Sequence, residues 1–257
     1  PLARGRGPRH HEGPLAIFPS TMTLFTNRLL ALVTLALVAG CSSTPASGPD
    51  ASPMTAALRE TISPDEAVQR LLRGNERFVA GRPLHRDTIG EARASAGGQY
   101  PFAIILACID SRSAPEVVFD QGIGDIFVPR VAGNYAPTDL IGSMEFAALV
   151  AGAKAIMVVG HTSCGAVMGA CDGVQLGNLT TVIESIRPAV NSVPGFTGER
   201  TSANPAFVQA VAEQNVRLTV ARIRAQSEII RDLEREGRIT VVGAMHDLST
   251  GRVTLLN

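Results

Sequence analysis

The chain has no tryptophan, two tyrosines and only 4% aromatic residues, so its core must be aliphatic. Lysine is almost missing: Lys154 is the only one, and arginine carries the rest of the positive charge. The formal net charge is zero, which leaves no basic footprint for nucleic acid. Charge is unevenly placed, however. Arg4, Arg6, Arg9 and Arg28 against Glu12 precede residue 41, leaving 19 basic and 22 acidic groups from there on. The main apolar run, Leu29 to Gly40, is too short to cross a bilayer, which needs ~20 residues.

Cysteines are few, at positions 41, 108, 164 and 171, and their contexts differ. Two disulfides would be the ordinary reading for an exported protein. It leaves unexplained the His and Asp that accompany Cys108 and Cys164. Cys171 falls in an expected helix and reads as a small buried hydrophobe.

The 257 residues suffice for one α/β domain with extensions. Residues 1–21 mix Arg, Gly, Pro and His without periodicity and read as a non-native segment upstream of the true start, which removes His10 and His11 as ligand candidates. Residues 22–41 read as an export signal: Arg28, the apolar segment, then Leu37-Val38-Ala39-Gly40-Cys41, which resembles a bacterial lipobox. That resemblance implies lipid on the Cys41 thiol and attachment to the periplasmic side of the envelope, with the outer membrane favoured. An ordinary signal peptide and an uncleaved anchor are the alternatives. Residues 42–54, rich in Ser, Pro, Ala and Gly, read as a flexible tether, and residues 55–257 as the folded domain.

Within that domain, Ser63-Pro64-Asp65-Glu66 starts a helix with Ser at the N-cap and Pro at the first turn. Val68, Leu71, Leu72, Phe78 and Val79 give it an apolar stripe. A polar loop with His85 and Arg86 follows. Strands are expected at Phe102 to Ala107, Asp125 to Val131, Ala155 to Val159, Ile239 to Ala244 and Val253 to Leu256, with Pro129 marking the second as an edge or strand end. Between them lie a short helix from Ala114 to Phe119 and one capped by Thr138 or Asp139 with Ile141, Met144, Phe146 and Leu149 in the core. Further helices begin at Cys164-Gly165, run from Leu179 to Val190, and start near Asn204-Pro205 with a recap at Ser227. This alternation predicts an α/β fold whose mostly parallel sheet has about four parallel strands and a C-terminal antiparallel one.

Two pentapeptides organise the chain: Cys108-Ile109-Asp110-Ser111-Arg112 and His161-Thr162-Ser163-Cys164-Gly165, each at the end of a buried strand. If the two strands are neighbours, Cys108, His161 and Cys164 converge as a soft zinc site, with Asp110 as candidate fourth ligand. Asp110 and Arg112, two residues apart in an extended segment, share a face.

Cys-x-Asp-x-Arg followed by His-x-x-Cys-Gly resembles the β-class carbonic anhydrases. The similarity runs from about Ser63 to the C-terminus through Gly74-Asn75-x-Arg77-Phe78, Gly124-Asp125-Ile126-Phe127, Arg130-Val131-Ala132-Gly133-Asn134 and Val242-Gly243-Ala244. It implies one Zn2+ per subunit and reversible hydration of CO2 to bicarbonate by zinc-bound hydroxide. The His161 ligand atom would be Nε2, and Asp110 would either pair with Arg112, leaving the site open, or swing onto the metal and close it. By the same resemblance Gly165 offers a backbone N–H to bicarbonate, Phe127 lines the pocket, and the chain forms a homodimer or a dimer of dimers with the Ser63 helix on the neighbouring subunit. His246 is a possible proton shuttle, against the plainer reading of a partly exposed histidine. One departure stands out: plant-type members have a Gln near bicarbonate, whereas Gly122 falls at that position here and Gln121 is one residue early. Two other functions remain open: hydrolysis of carbon disulfide or carbonyl sulfide on the same scaffold, and a non-catalytic zinc-binding lipoprotein.

Overall fold

A computed structural model describes residues 52–256; the expected signal segment, Cys41 and nearly all of the tether lie outside the described residues. Helices α1 (Ala56–Glu60), α2 (Pro64–Val79) and α3 (Thr88–Ser95) lead into strand β1 (Ala103–Ala107). Then follow α4 (Pro115–Val118), β2 (Ile126–Phe127), α5 (Thr138–Glu145) with a π-helical turn Phe146–Val150, and β3 (Ala155–His161). Helices α6 (Gly165–Cys171), α7 (Leu179–Ser192), α8 (Pro205–Gln226) and α9 (Glu228–Arg235) precede β4 (Thr240–His246) and β5 (Val253–Leu256).

The sheet order is β2-β1-β3-β4-β5, parallel except for the β4–β5 pair. The expected α/β architecture with four parallel strands and a closing antiparallel one is therefore present. Alternate side chains of the central strands feed two cores, as the period of two requires. Ile104, Leu106, Ile156 and Val158 pack on one face against α5 to α9. Ala103, Ile105, Ala107, Met157 and Val159 pack on the other with Val68, Leu71 and Phe119. Met54, assigned to the tether, is buried in this second core.

Several local expectations need correction. The second strand shrinks to Ile126–Phe127 with one further bridge, Ala107 to Arg130. Pro129 has no N–H to give, and only its carbonyl is used, by the Ala107 N–H at 3.1 Å. Helix α5 starts after Pro137 with no side-chain cap, so neither Thr138 nor Asp139 caps it. Its buried face runs Ile141, Met144, Ala147 and Ala148. Phe146 and Leu149 stand five residues beyond the first two, roughly 140° around the helix, and are exposed. The loop with His85 and Arg86 contains α3, capped by Asp87. Ser63 does cap α2, accepting the Glu66 N–H at 3.1 Å. Of its stripe, Val68 and Leu71 are buried in this chain's own core, Leu72 and Phe78 are partly buried against it, and Val79 is exposed.

Helix α2 lies so close to the end of α4 that a Cβ on Gly74 would sit 1.8 Å from the Phe119 carbonyl oxygen. Beside it, Asn75 donates to the carbonyls of Val118 and Gly251 and accepts the Val253 N–H, joining three distant segments. On the other face Val216 of α8 fits against Gly160 and Gly243, where a Cβ would come within 2.7 Å of it. These contacts fix how the helices seat on the sheet, and with them the strand ends that carry the site.

Candidate metal centre

Strands β1 and β3 are in register from Ala103 opposite Ala155 to Ala107 opposite Val159, so the residues that follow them emerge side by side. Cys108 comes one residue after β1, His161 ends β3, and Cys164 is the N-cap position of α6. The tight return between His161 and Cys164 is made by Ser163 in the left-handed region at φ 53°. As a result the ligand atoms of Cys108, His161 and Cys164 lie within 4.8 Å of one another, and all three residues are buried. No disulfide joins the two cysteines.

The surroundings prepare these atoms. His161 Nδ1 donates to the Thr162 carbonyl at 2.9 Å, which assigns the proton to that nitrogen and leaves Nε2 with its lone pair. Nε2 is buried and has no hydrogen-bond partner among the described residues. An orphaned acceptor of this kind is costly unless something else fills the coordination, and a cation held by two sulfurs and this nitrogen would do so. The donor set therefore fits a soft divalent ion.

The Gly133 N–H reaches Cys108 Sγ at 3.3 Å, a contact made possible by Gly133 at φ 75°. A thiol hydrogen bond from Cys164, with smaller contributions from His161 and Gly133, lowers the Cys108 pKa. Cys164 is raised by that same bond and by burial. Burial opposes charge on His161, but the neighbouring Cys108 and the Thr162 carbonyl outweigh it and raise its pKa.

Asp110 does not join the three donors. Its Oδ1 accepts the Arg112 backbone N–H at 2.9 Å and the Arg112 Nε at 3.0 Å, and its Oδ2 accepts Nη2 at 2.7 Å. The hydrogen bond from the Arg112 side chain holds the carboxyl well below the usual carboxylate range. Oδ2 nevertheless stands 3.8 Å from His161 Nε2, so the carboxylate borders the place a metal would take.

The other candidates are spread around this point. Gly165 begins α6, and a Cβ on it would meet nothing within 4 Å, so the space above its backbone is open. Phe127 lies elsewhere, in an apolar groove of about 700 Å³ that it shares with Ile104, Leu140 and Phe146 and that none of the three donors lines. Gln121 is buried and donates to the Phe119 carbonyl. At Gly122 a side chain would meet Arg86 and Glu91 within 2.6 to 2.8 Å, so this buried ion pair excludes a larger residue. Cys171 is half-buried, and burial pushes its thiol up to about 11.

His246 corrects the plainer reading of that residue: it is buried, with Nδ1 at 2.9 Å from Ser113 Oγ. Burial and the neighbouring His161 lower its pKa. Sequence reasoning also gave no role to Arg130, whose Nε donates to the Cys108 carbonyl at 2.8 Å and whose Nη2 donates to the Asp110 carbonyl at 2.7 Å. Its place in Arg130-Val131-Ala132-Gly133-Asn134 was the available signal.

Comparison with known proteins agrees with this geometry. The carbonic anhydrase family signature matches residues 103–253. Carbonic anhydrase 2 of Mycobacterium tuberculosis is 39% identical over 199 residues, covering 75% of this chain and 93% of that protein. The carbonic anhydrase of Mycolicibacterium smegmatis is 36% identical over the same shares. Among solved structures, a β-carbonic anhydrase of Sordaria macrospora, described as tetrameric, superimposes with a TM-score of 0.56 at 28% identity, over 64% of this chain and 85% of that one. With the sheet order, the Cys-His-Cys cluster and these matches in hand, the chain belongs to the carbonic anhydrase family, in its β class.

Proposed function

We propose that the protein catalyses the reversible hydration of CO2 at a zinc ion held by Cys108, His161 and Cys164. The observation that carries this reading is the buried, unpartnered Nε2 of His161 facing two unbridged thiols. β-Class carbonic anhydrases use zinc, which when bound lowers the pKa of water from 15.7 to about 7 and so supplies a nucleophile near neutrality.

The chain's own groups do the rest. Cys108 and Cys164 give the ion its sulfur ligands, and the Thr162 carbonyl fixes the imidazole tautomer. Asp110, kept ionised by Arg112, is an acceptor at the edge of the site that orients the attacking O–H, and its pairing with Arg112 keeps it off the metal. Gly165, at the start of α6 next to Cys164, offers its N–H to CO2 or bicarbonate. Stopped-flow CO2 hydration with parallel zinc analysis tests the proposal: wild type with one zinc hydrates CO2, and Asp110→Asn keeps zinc but loses rate. Full activity in Asp110→Asn would remove the orienting role. Carbon disulfide and carbonyl sulfide in the same apparatus separate the related hydrolases.

Self-association is part of this proposal. Phe146, Leu149 and Val150 are 52%, 46% and 69% exposed beside the Phe127 groove, an apolar face that a second copy would cover. Sedimentation of the domain should give a dimer or tetramer, and an active monomer would oppose it. Export with a lipid on Cys41 is proposed from the sequence; no described helix is long and apolar enough to cross a membrane. Cys41→Ala should move the protein from the membrane to the soluble fraction, whereas continued pelleting would point to an uncleaved anchor.

A further inference from the structure

The Asp110–Arg112 pair is half in solvent, since the Arg112 side chain is 59% exposed. The pair is bidentate, but with the guanidinium largely in water it is screened and does not hold the carboxylate alone. A second restraint is built into the backbone. Asp110 Oδ1 accepts the Arg112 N–H, and that N–H points at the carboxylate only while the loop keeps its turn, closed by the Ser113 N–H on the Asp110 carbonyl at 3.1 Å.

Two side chains from other parts of the fold hold this turn. Arg130 grips it through the carbonyls of Cys108 and Asp110, with a longer contact to the Ser113 carbonyl at 3.5 Å. The second half is held at Ser113, whose Oγ meets His246 Nδ1 at 2.9 Å with both residues buried, 4% and 2% exposed. His246 ends β4 in register with His161 at the end of β3, so the loop is anchored to the strand next to the one that supplies a donor atom.

We propose that Ser113 and His246 are positioning residues: their hydrogen bond keeps the Cys108–Ser113 loop in the conformation in which Asp110 stays on Arg112 and off the metal. This rests on the reading of Asp110 as the group that opens and closes the site. Without the bond, the loop end gains freedom, the Arg112 N–H loses its aim, and the carboxylate, whose Oδ2 already stands 3.8 Å from His161 Nε2, is free to turn toward the three donor atoms. One buried hydrogen bond is worth roughly a factor of ten in such an equilibrium.

The experiment compares zinc-loaded wild type, Ser113→Ala, Ser113→Thr, His246→Asn and Asp110→Asn near neutral pH, measuring zinc per chain, kcat and KM for CO2, and the Asp110 position by crystallography. Ser113→Ala should keep one zinc, lose about tenfold in kcat with KM changed by about twofold or less, and show Asp110 turned from Arg112 to the metal. Ser113→Thr, which retains the hydroxyl, should recover most of the rate, and so should His246→Asn, whose side-chain amide can take the place of Nδ1. Wild-type kcat in Ser113→Ala with Asp110 still on Arg112, loss of zinc in that variant, or no recovery in Ser113→Thr would overturn the inference. If Asp110→Asn keeps full rate, the gating reading itself has failed; if it loses rate while Ser113→Ala does not, only the role of Ser113 and His246 has failed.

Discussion

His161 and His246 are register partners at the ends of adjacent parallel strands, yet their rings are prepared for opposite tasks. His161 donates from Nδ1 to a carbonyl and keeps Nε2 bare, whereas His246 engages Nδ1 with Ser113. Neighbouring strand ends thus provide a ligand and an anchor for the loop that adjoins it.

Burial of His246 sets a pH dependence of stability. Its folded pKa lies below the ordinary histidine value, for burial and His161 both disfavour the charged ring. The unfolded chain therefore binds the proton first on acidification, and stability falls as pH drops from about 6.5 toward the lower folded pKa. Chemical denaturation at several pH values should show a steeper acid loss in wild type than in His246→Gln, with His161 common to both. Parallel slopes would contradict this.

Arg112→Lys keeps a positive charge but not the guanidinium fork that meets both Asp110 oxygens. Zinc content should stay at one per chain while kcat falls about 10- to 100-fold, the usual range when a partner of a metal site is lost. An unchanged rate would mean that charge alone positions Asp110.

At Gly74 a methyl group would collide first with the backbone of Phe119, which cannot swing aside as the nearby Gln121 side chain could. Alanine favours a helix over glycine by about 1 kcal/mol, but the overlap with Phe119 outweighs that. Gly74→Ala should lose about 2 kcal/mol or more in denaturant unfolding, and a neutral or stabilised variant would show that α2 can shift.

Gly243→Ala places its methyl 2.7 Å from a Val216 methyl. The expected loss is about 2 kcal/mol, and it should shrink in a Val216→Ala background, where the space is free. Additive losses would exclude direct conflict between the two residues.

Much of this was legible because strong local signals agreed with the fold. Phe102 to Ala107 and Ala155 to Val159 are continuous apolar runs, which only a strand buried on both faces requires, and the two pentapeptides follow them directly. Caps at Ser63 and Ser227 were readable for the same reason, each using its own neighbours. What stayed hidden depends on residues distant in sequence. The partner of Ser113 is 133 positions away, and no periodicity marks His246 as buried. Helix α3 has little amphipathic contrast, so Thr88–Ser95 looked like loop, and Phe146 and Leu149 were apolar residues on the wrong side of their helix.

The central claim is that Cys108, His161 and Cys164 together hold one zinc ion with a position left for solvent. X-ray absorption at the zinc edge on purified protein tests it most directly. Two sulfurs, one nitrogen and one light-atom ligand from water at one zinc per chain, with zinc lost in Cys108→Ser, is the predicted result. A protein without zinc whose Cys108 and Cys164 are joined as a disulfide would contradict it.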